Sequence, residues 1–251
     1  MHSHVIPGVD DGSPDLATTE AMLATIAAAG TTCLWATPHV ADRDGFPGSP
    51  ARLALIGERF EELLAVVPAG LTVRRGHEVT PSPERLAPGA DVAALALAEL
   101  DIVLVDGPDD EPAAHDDLFL PYIAKVRAEG LRPVLAHPER RAAHPDPNPG
   151  FAERLAAAGA LLQVDACSLL GADGPAIEAD AWRILETGLA DLVASDAHTP
   201  AEAGDLGRAH ALIAERLGGA SADRLCDGSA LALPGAADDA ALAAASPRPG
   251  A

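Results

Sequence analysis

The sequence predicts an α/β fold, one domain of βα units wound around a parallel sheet. Short β-like runs alternate with amphipathic helical stretches, the pattern such units write into a chain. At 251 residues the length suits one large domain, and α/β barrels of this size are routinely single units. Apolar residues make up 48%, enough to bury a substantial core.

The first helix is expected over 15–29, where Ser13-Pro14 reads as an N-cap followed by proline at the first helical position, and Gly30 closes it. A strand over 32–36 follows, then a helix over 50–67 and a strand over 71–75. The run Ile-Val-Leu-Val at 102–105 is the next strand, before a helix over 117–129 that stops at Gly130. Strand 133–136 leads to helix 150–158 and Gly159, and strand 161–164 to helix 175–187 and Gly188. The last pair is strand 192–194 and a helix over 200–217, opened by Thr199-Pro200. Beyond Leu233 the chain is rich in Ala, Pro and Asp with no periodicity, so a folded domain over 1–233 and a disordered tail over 234–251 are expected.

Charge excludes some partners. Lys and Arg number 17 against 38 Asp and Glu, a formal charge of −21, which repels nucleic acid and anionic lipid. No apolar run is long enough to span a membrane, and no secretory signal is visible, so a cytoplasmic protein is expected. Three widely spaced cysteines, Cys33, Cys167 and Cys226, read as buried thiols and not as a disulfide framework. His2 and His4 follow Met1 directly, where a barrel's first strand should precede its first loop. Either that strand is unusually short or the start lies upstream, and the second is preferred.

The polar clusters fall at the carboxyl ends of the expected strands. They are His2-Ser3-His4 with Asp10-Asp11-Gly12, Thr37-Pro38-His39, His77-Glu78, Asp106, His137-Pro138-Glu139-Arg140, and Ser195-Asp196-Ala197-His198. In a parallel barrel these ends share one face, where active sites lie. Singly, each is ordinary: a turn, a capped histidine, a solvated acid. Together they predict a metal site. On extended backbone residues i and i+2 point the same way, so His2 and His4 can share an ion, as can Asp196 and His198. Imidazole with carboxylate suits Zn, Mn or Fe. Neighbouring ions would clamp an oxyanion, lower the pKa of a water, and reverse the acidic field locally. His115, His144 and His210 have no such placement and read as surface residues.

The ordered set HSHxxPGVDDG, TPH, a Glu after the third strand, AHPER, QVDACSLLG and SDAH resembles the PHP (polymerase and histidinol phosphatase) superfamily. Within it, the chain is most similar to the bacterial capsule- and exopolysaccharide-associated tyrosine phosphatases, over roughly residues 1–230. The resemblance implies a distorted (β/α)7 barrel with three metal ions, usually Mn²⁺. It implies that His2, His4, Glu78 and Asp196 hold the first ion. Glu78 would bridge to a second, shared with Asp106 and His137, and Asp11, His39 and His198 would surround a third. Arg140 resembles the arginine that contacts substrate phosphate, with Asp196 or His198 assisting proton transfer. The implied partner is a phosphotyrosine protein such as a bacterial tyrosine kinase.

The chain departs from the family in two places that bear on the site. Asp106 stands where the family has Glu, with Asp109 or Glu111 as alternatives, and the second phosphate-binding arginine is missing after SDAH unless Arg208 replaces it. The rival readings are a histidinol-phosphate phosphatase, an amidohydrolase, and a catalytically weak, metal-stabilised partner of a kinase. An amidohydrolase commonly needs a lysine at a strand end, and the single Lys125 lies mid-helix. No cysteine has an arginine six residues later, so a cysteine phosphatase is excluded.

Overall fold

The computed structural model describes residues 1–40, 49–106, 115–143 and 150–229. Asp109, Glu111, His144 and the expected boundary at 233 with its tail lie outside the described residues.

An extended stretch at residues 2–4 opens the chain. It leads to α1 (Leu16–Ala28), β1 (Cys33–Ala36), β2 (His39–Val40), α2 (Pro50–Leu64), β3 (Thr72–Arg75) and β4 (Glu78–Val79). Then come α3 (Pro83–Leu86), β5 (Ile102–Val105), α4 (His115–Ala128), β6 (Arg132–Ala136), α5 (Phe151–Ala157) and β7 (Leu161–Asp165). The last elements are α6 (Ala166–Leu169), α7 (Pro175–Glu186), β8 (Leu192–Ala194), α8 (Asp205–Leu217) and α9 (Gly219–Cys226). Every expected strand is present, each bound within one residue. Gly30, Gly130, Gly159 and Gly188 end their helices with positive φ, as the C-terminal position requires.

Two helix starts differ from expectation. Asp15, not Ser13, caps α1, its carboxylate accepting from Thr18 N at 2.8 Å. Ser13 is buried instead, its backbone tied to His4 O (2.9 Å) and its hydroxyl to Thr19 (2.8 Å), so it anchors the loop that carries Asp10 and Asp11. Thr199-Pro200 opens only a single turn, closed on Thr199 O by Glu202 N and Ala203 N, and α8 begins after Gly204.

All strand pairs are parallel. β1 and β2 are one interrupted strand, and so are β3 and β4, because Gly76 N still donates to Ala36 O (2.8 Å) and Glu78 N to Pro38 O (3.0 Å). Pro38 has no N–H to give, which breaks the regular ladder there. Residues 2–4 close the sheet on itself. His4 N donates to Ala197 O (3.0 Å) on the β8 side, and Thr37 N donates to Ser3 O (2.9 Å) on the β1 side. The closed ring has seven members, at 2–4, 33–40, 72–79, 102–105, 132–136, 161–165 and 192–197, the distorted barrel that the resemblance implies.

Alternation sorts the core. Trp35, Ile102, Leu104, Val134, Ala136 and Leu192 form one buried cluster inside the barrel. Their neighbours Leu34, Val103, Val105, Leu135 and Val193 face outward and pack with the helices in the larger one. The cysteines depart from expectation in burial: none of the three is in a disulfide, and all are only half-buried. Among the described residues no helix is long and apolar enough to cross a membrane.

Candidate metal centre

The barrel brings the separate polar segments to one mouth. His39 opens β2 and lies in register with Glu78 of β4. Asp106 follows β5, His137 follows β6, Asp165 ends β7, and Asp196 and His198 follow β8. His137 (φ 35°) and Asp196 (φ 47°) both take left-handed backbone conformations that side chains rarely adopt. Strain is thus held at the ends of β6 and β8, on either side of β7, and such strain gathers at functional sites.

His2, His4, Glu78 and Asp196 form a fully buried group. His2 Nε2 and His4 Nε2 are 3.1 Å apart. Each lies 3.2 Å from Glu78 Oε2 and 3.1 Å from Asp196 Oδ1. A point equidistant from four atoms so spaced is about 2 Å from each, the bond length of nitrogen and oxygen ligands to zinc-like cations. Glu78 Oε2 and Asp196 Oδ1 are buried without a well-formed hydrogen bond, a cost that a cation between them would remove. The donor set therefore fits a metal ion.

Glu78 reaches two ways. Its other oxygen, Oε1, meets His137 Nε2 at 3.0 Å, and His137 Nε2 lies 3.6 Å from Asp106 Oδ1. Despite its missing methylene, Asp106 reaches the mouth, where it could share an ion with Glu78 and His39. On the open side Asp11 Oδ1 stands 3.7 Å from both His39 Nε2 and His198 Nε2, and these three gather with His4 as a third group. Arg140 sits against the first group, its Nη2 donating to Asp196 Oδ2 at 2.6 Å and lying 2.7 Å from Asp165 Oδ2. All nine expected ligand positions, and Arg140, therefore converge. Arg208 does not join them: its side chain is exposed and paired with Asp205. Lys125 lies on α4, bonded to Ala87 O, away from any strand end. His77 is buried but stands apart from the metal-capable groups. His210 is on the surface beside Asp223.

A family model described as "Capsular polysaccharide synthesis, CpsB/CapC" matches residues 1–232. This chain belongs to the CpsB/CapC family. It is 30% identical to the tyrosine-protein phosphatase YwqE of Bacillus subtilis (strain 168), over 79% of this chain and 76% of that one. To CapC of Staphylococcus aureus it is 26% identical over the same shares. Among solved structures it matches one from work on YwqE of Bacillus subtilis and CpsB of Streptococcus pneumoniae, described as unique metal-dependent tyrosine phosphatases. That match has a TM-score of 0.73 and 26% identity, over 92% of each chain.

In this CpsB/CapC barrel, four side chains beside the mouth had no role in the sequence reading, although Asp10 and Glu139 stood in its polar clusters. Asp10 Oδ2 binds His4 Nδ1 at 2.8 Å and also accepts from His39 N at 3.1 Å. Gln163 Oε1 binds His2 Nδ1 at 3.0 Å. Both bonds engage Nδ1 and leave Nε2 facing the buried group, the arrangement in which outer partners orient a histidine for a metal. Asp165 and Glu139 lie beneath Arg140, with Asp165 N donating to Glu139 Oε1 at 2.8 Å. The available signals were the Asp10-Asp11 doublet and the placement of Gln163 and Asp165 on an interior strand.

Burial and charge compete at each site. Burial pulls the His39 pKa down, but the charge and hydrogen bond of Glu78 outweigh it and raise it to about 9. Burial opposes ionisation of Glu78 and Asp196 too, yet the His2 charge with its neighbours holds both well below the usual carboxylate range. Unlike His39, His137 and His198 shift down, through burial and then through Arg140 and His4 respectively. Those two already favour the neutral form that ligation needs.

Glu139 gives a testable consequence. It is fully buried, and burial pushes its pKa up to about 7 against hydrogen bonds and Arg140. Its folded pKa lies above the unfolded value near 4.5, so ionising it costs native stability progressively from about pH 4.5 to pH 7. Glu139→Gln keeps the acceptor for Asp165 N and removes that cost. Melting curves should show the variant more stable than wild type at pH 8, by on the order of 2–3 kcal/mol, with the gain gone by pH 4.5. Equal melting temperatures at both pH values would contradict it.

Proposed function

We propose that this chain is a metal-dependent protein-tyrosine phosphatase that hydrolyses phosphotyrosine in a protein partner. The observation that carries the reading is the buried four-atom group of His2, His4, Glu78 and Asp196 with the Arg140 guanidinium against it. We assign His2, His4, Glu78 and Asp196 to a first ion. Glu78, Asp106 and His137 take a second, and Asp11, His39 and His198 a third. Mn²⁺ is the proposed ion, and Zn²⁺ and Fe suit the same donors. Such ions, when bound, act as Lewis acids and bring the pKa of water near neutrality.

The chain's own groups supply the rest. Arg140 presents a planar fork to phosphate oxygens and counters the surface charge of −21 where the substrate sits. Proton transfer falls to Asp196 or His198. The His198 Nδ1 is engaged by Asp196 O at 2.8 Å, which leaves Nε2 facing the mouth beside Asp11. Cys167 is not poised to attack phosphorus: burial, then Asp165 and Asp173, push its thiol far up. Free cysteines suit a reducing compartment, and we place the protein in the cytoplasm. The proposed partner is a bacterial tyrosine kinase.

Hydrolysis of p-nitrophenyl phosphate by chelator-treated protein is the test. Activity is expected to fall to background on chelation and to return with Mn²⁺, and phosphotyrosyl peptide should then be preferred over phosphoseryl peptide. Protein carrying measured metal but showing no turnover would sink the phosphatase reading.

A further inference from the structure

Five contacts form a closed loop around one side of the centre. His2 Nδ1 meets Gln163 Oε1 (3.0 Å), and Gln163 Nε2 donates to Asp165 Oδ1 (2.7 Å). Asp165 Oδ2 lies 2.7 Å from Arg140 Nη2, which also donates to Asp196 Oδ2 (2.6 Å). Asp196 Oδ1 returns to His2 Nε2 at 3.1 Å. Gln163 and Asp165 are completely buried, two residues apart on β7, so both point into the barrel.

His137, Asp165 and Asp196 also stand close enough to hold an ion. The guanidinium already sits on the outer oxygens of both carboxylates, so this corner has its cation and Asp165 is better read as its anchor. One nitrogen, Nη2, takes both carboxylates, which leaves Nε and Nη1 of the quarter-exposed Arg140 to meet an anion.

We propose that Asp165 and Gln163 are positioning residues that form a strut from β7 serving two tasks. Asp165 aims Arg140 at the substrate phosphate, and Gln163, steadied by Asp165, fixes the His2 tautomer for metal. The first task rests on the phosphatase reading and the second does not.

Both tasks are measurable in the full chain. Mn²⁺ affinity is read by competition with a fluorescent chelator, and KM and kcat are read on p-nitrophenyl phosphate at saturating Mn²⁺. Gln163→Leu should weaken Mn²⁺ binding about 10- to 100-fold. The double change Gln163→Glu with Asp165→Asn, in which the new carboxylate still accepts from His2 Nδ1–H and takes the amide N–H of residue 165, should restore it to within about threefold. Asp165→Asn keeps the acceptor for Gln163 but puts an amide N–H₂, which cannot accept from the guanidinium, where Oδ2 faces Arg140. It should raise KM roughly tenfold, with kcat and Mn²⁺ affinity within about threefold.

Circular dichroism checks each fold, and Gln163→Met replaces the leucine variant if that one is unfolded. Unchanged Mn²⁺ affinity in the folded Gln163 variant would overturn the metal half. A fall in kcat at constant KM in Asp165→Asn, or no change in either, would overturn the arginine half. A wild type that binds Mn²⁺ but turns over nothing would sink the phosphatase reading while leaving the Gln163 measurement decisive.

Discussion

Asp196→Ala should reduce kcat on p-nitrophenyl phosphate by at least roughly 10³-fold and strip metal from the first group. One side chain here does several jobs. Its Oδ1 stands 3.1 Å from both His2 Nε2 and His4 Nε2, and its Oδ2 takes the Arg140 Nη2–H at 2.6 Å. Its backbone contributes too, through Asp196 N to His2 O (3.1 Å) and Asp196 O to His198 Nδ1 (2.8 Å). Alanine keeps those backbone bonds and removes the anion, so ligand charge and the arginine's partner are lost in one step. Asp196→Asn retains shape without charge and should fall almost as far. Turnover and metal content by mass spectrometry, measured on the same sample, check the pair. Retention of a tenth of wild-type activity with full metal would contradict the assignment.

Gly12→Ala is expected to do comparable damage from outside the ligand set. A Cβ built on Gly12 meets His4 O at 2.2 Å, His4 Cβ at 2.4 Å and the His4 carbonyl carbon at 2.9 Å. Two of the three are backbone atoms, and the His4 carbonyl accepts from Ser13 N, so there is nothing flexible to yield. Relief requires the Asp10–Gly12 turn to move away from His4, and Asp10 then releases the His4 Nδ1 that it holds at 2.8 Å. We expect a stability loss of about 2–4 kcal/mol and a Mn²⁺ affinity reduced at least about tenfold, read by thermal melts and metal competition. Gly219→Ala, where a Cβ has nothing within 4 Å, is the matched control and should lie near wild type. Equal behaviour of the two variants would show that the turn tolerates crowding.

The sequence carried the strands and the positions that gather at the mouth well because both are written locally. A strand such as Ile102–Val105 is a short apolar run, and the chemistry sits on the residues just past its end. What it hid were relations between distant residues. Nothing in spacing pairs Gln163 with His2, 161 positions away, or sets Arg140 between Asp165 and Asp196. The misplaced helix starts have the same origin. Ser13 and Thr199 have the right residue types for caps, but Ser13 is drawn into a buried bond with Thr19. At the other start, the turn after Thr199 is held by Glu202, whose carboxylate accepts from both His198 N and Thr199 N. Tertiary demand overrode local preference at both positions. Asp106 is the converse case, a shortened acid that the β5 end still delivers to within 3.6 Å of His137.

The barrel is fastened by its first and last strands, with Ser195 Oγ donating to His2 O across 193 positions of sequence. Contacts so remote in the chain are late events, since loop closure must be met before they form, and folds dominated by them fold slowly. During synthesis the two opening histidines leave the ribosome long before Asp196 is translated. The proposed first ion would therefore have no complete coordination set until nearly the whole barrel has been made. Catalytic competence is thereby tied to completeness: a truncated or half-translated chain holds the ligands of the amino-terminal strands but not the carboxylate that finishes the set, and is expected to remain inert towards phosphoprotein.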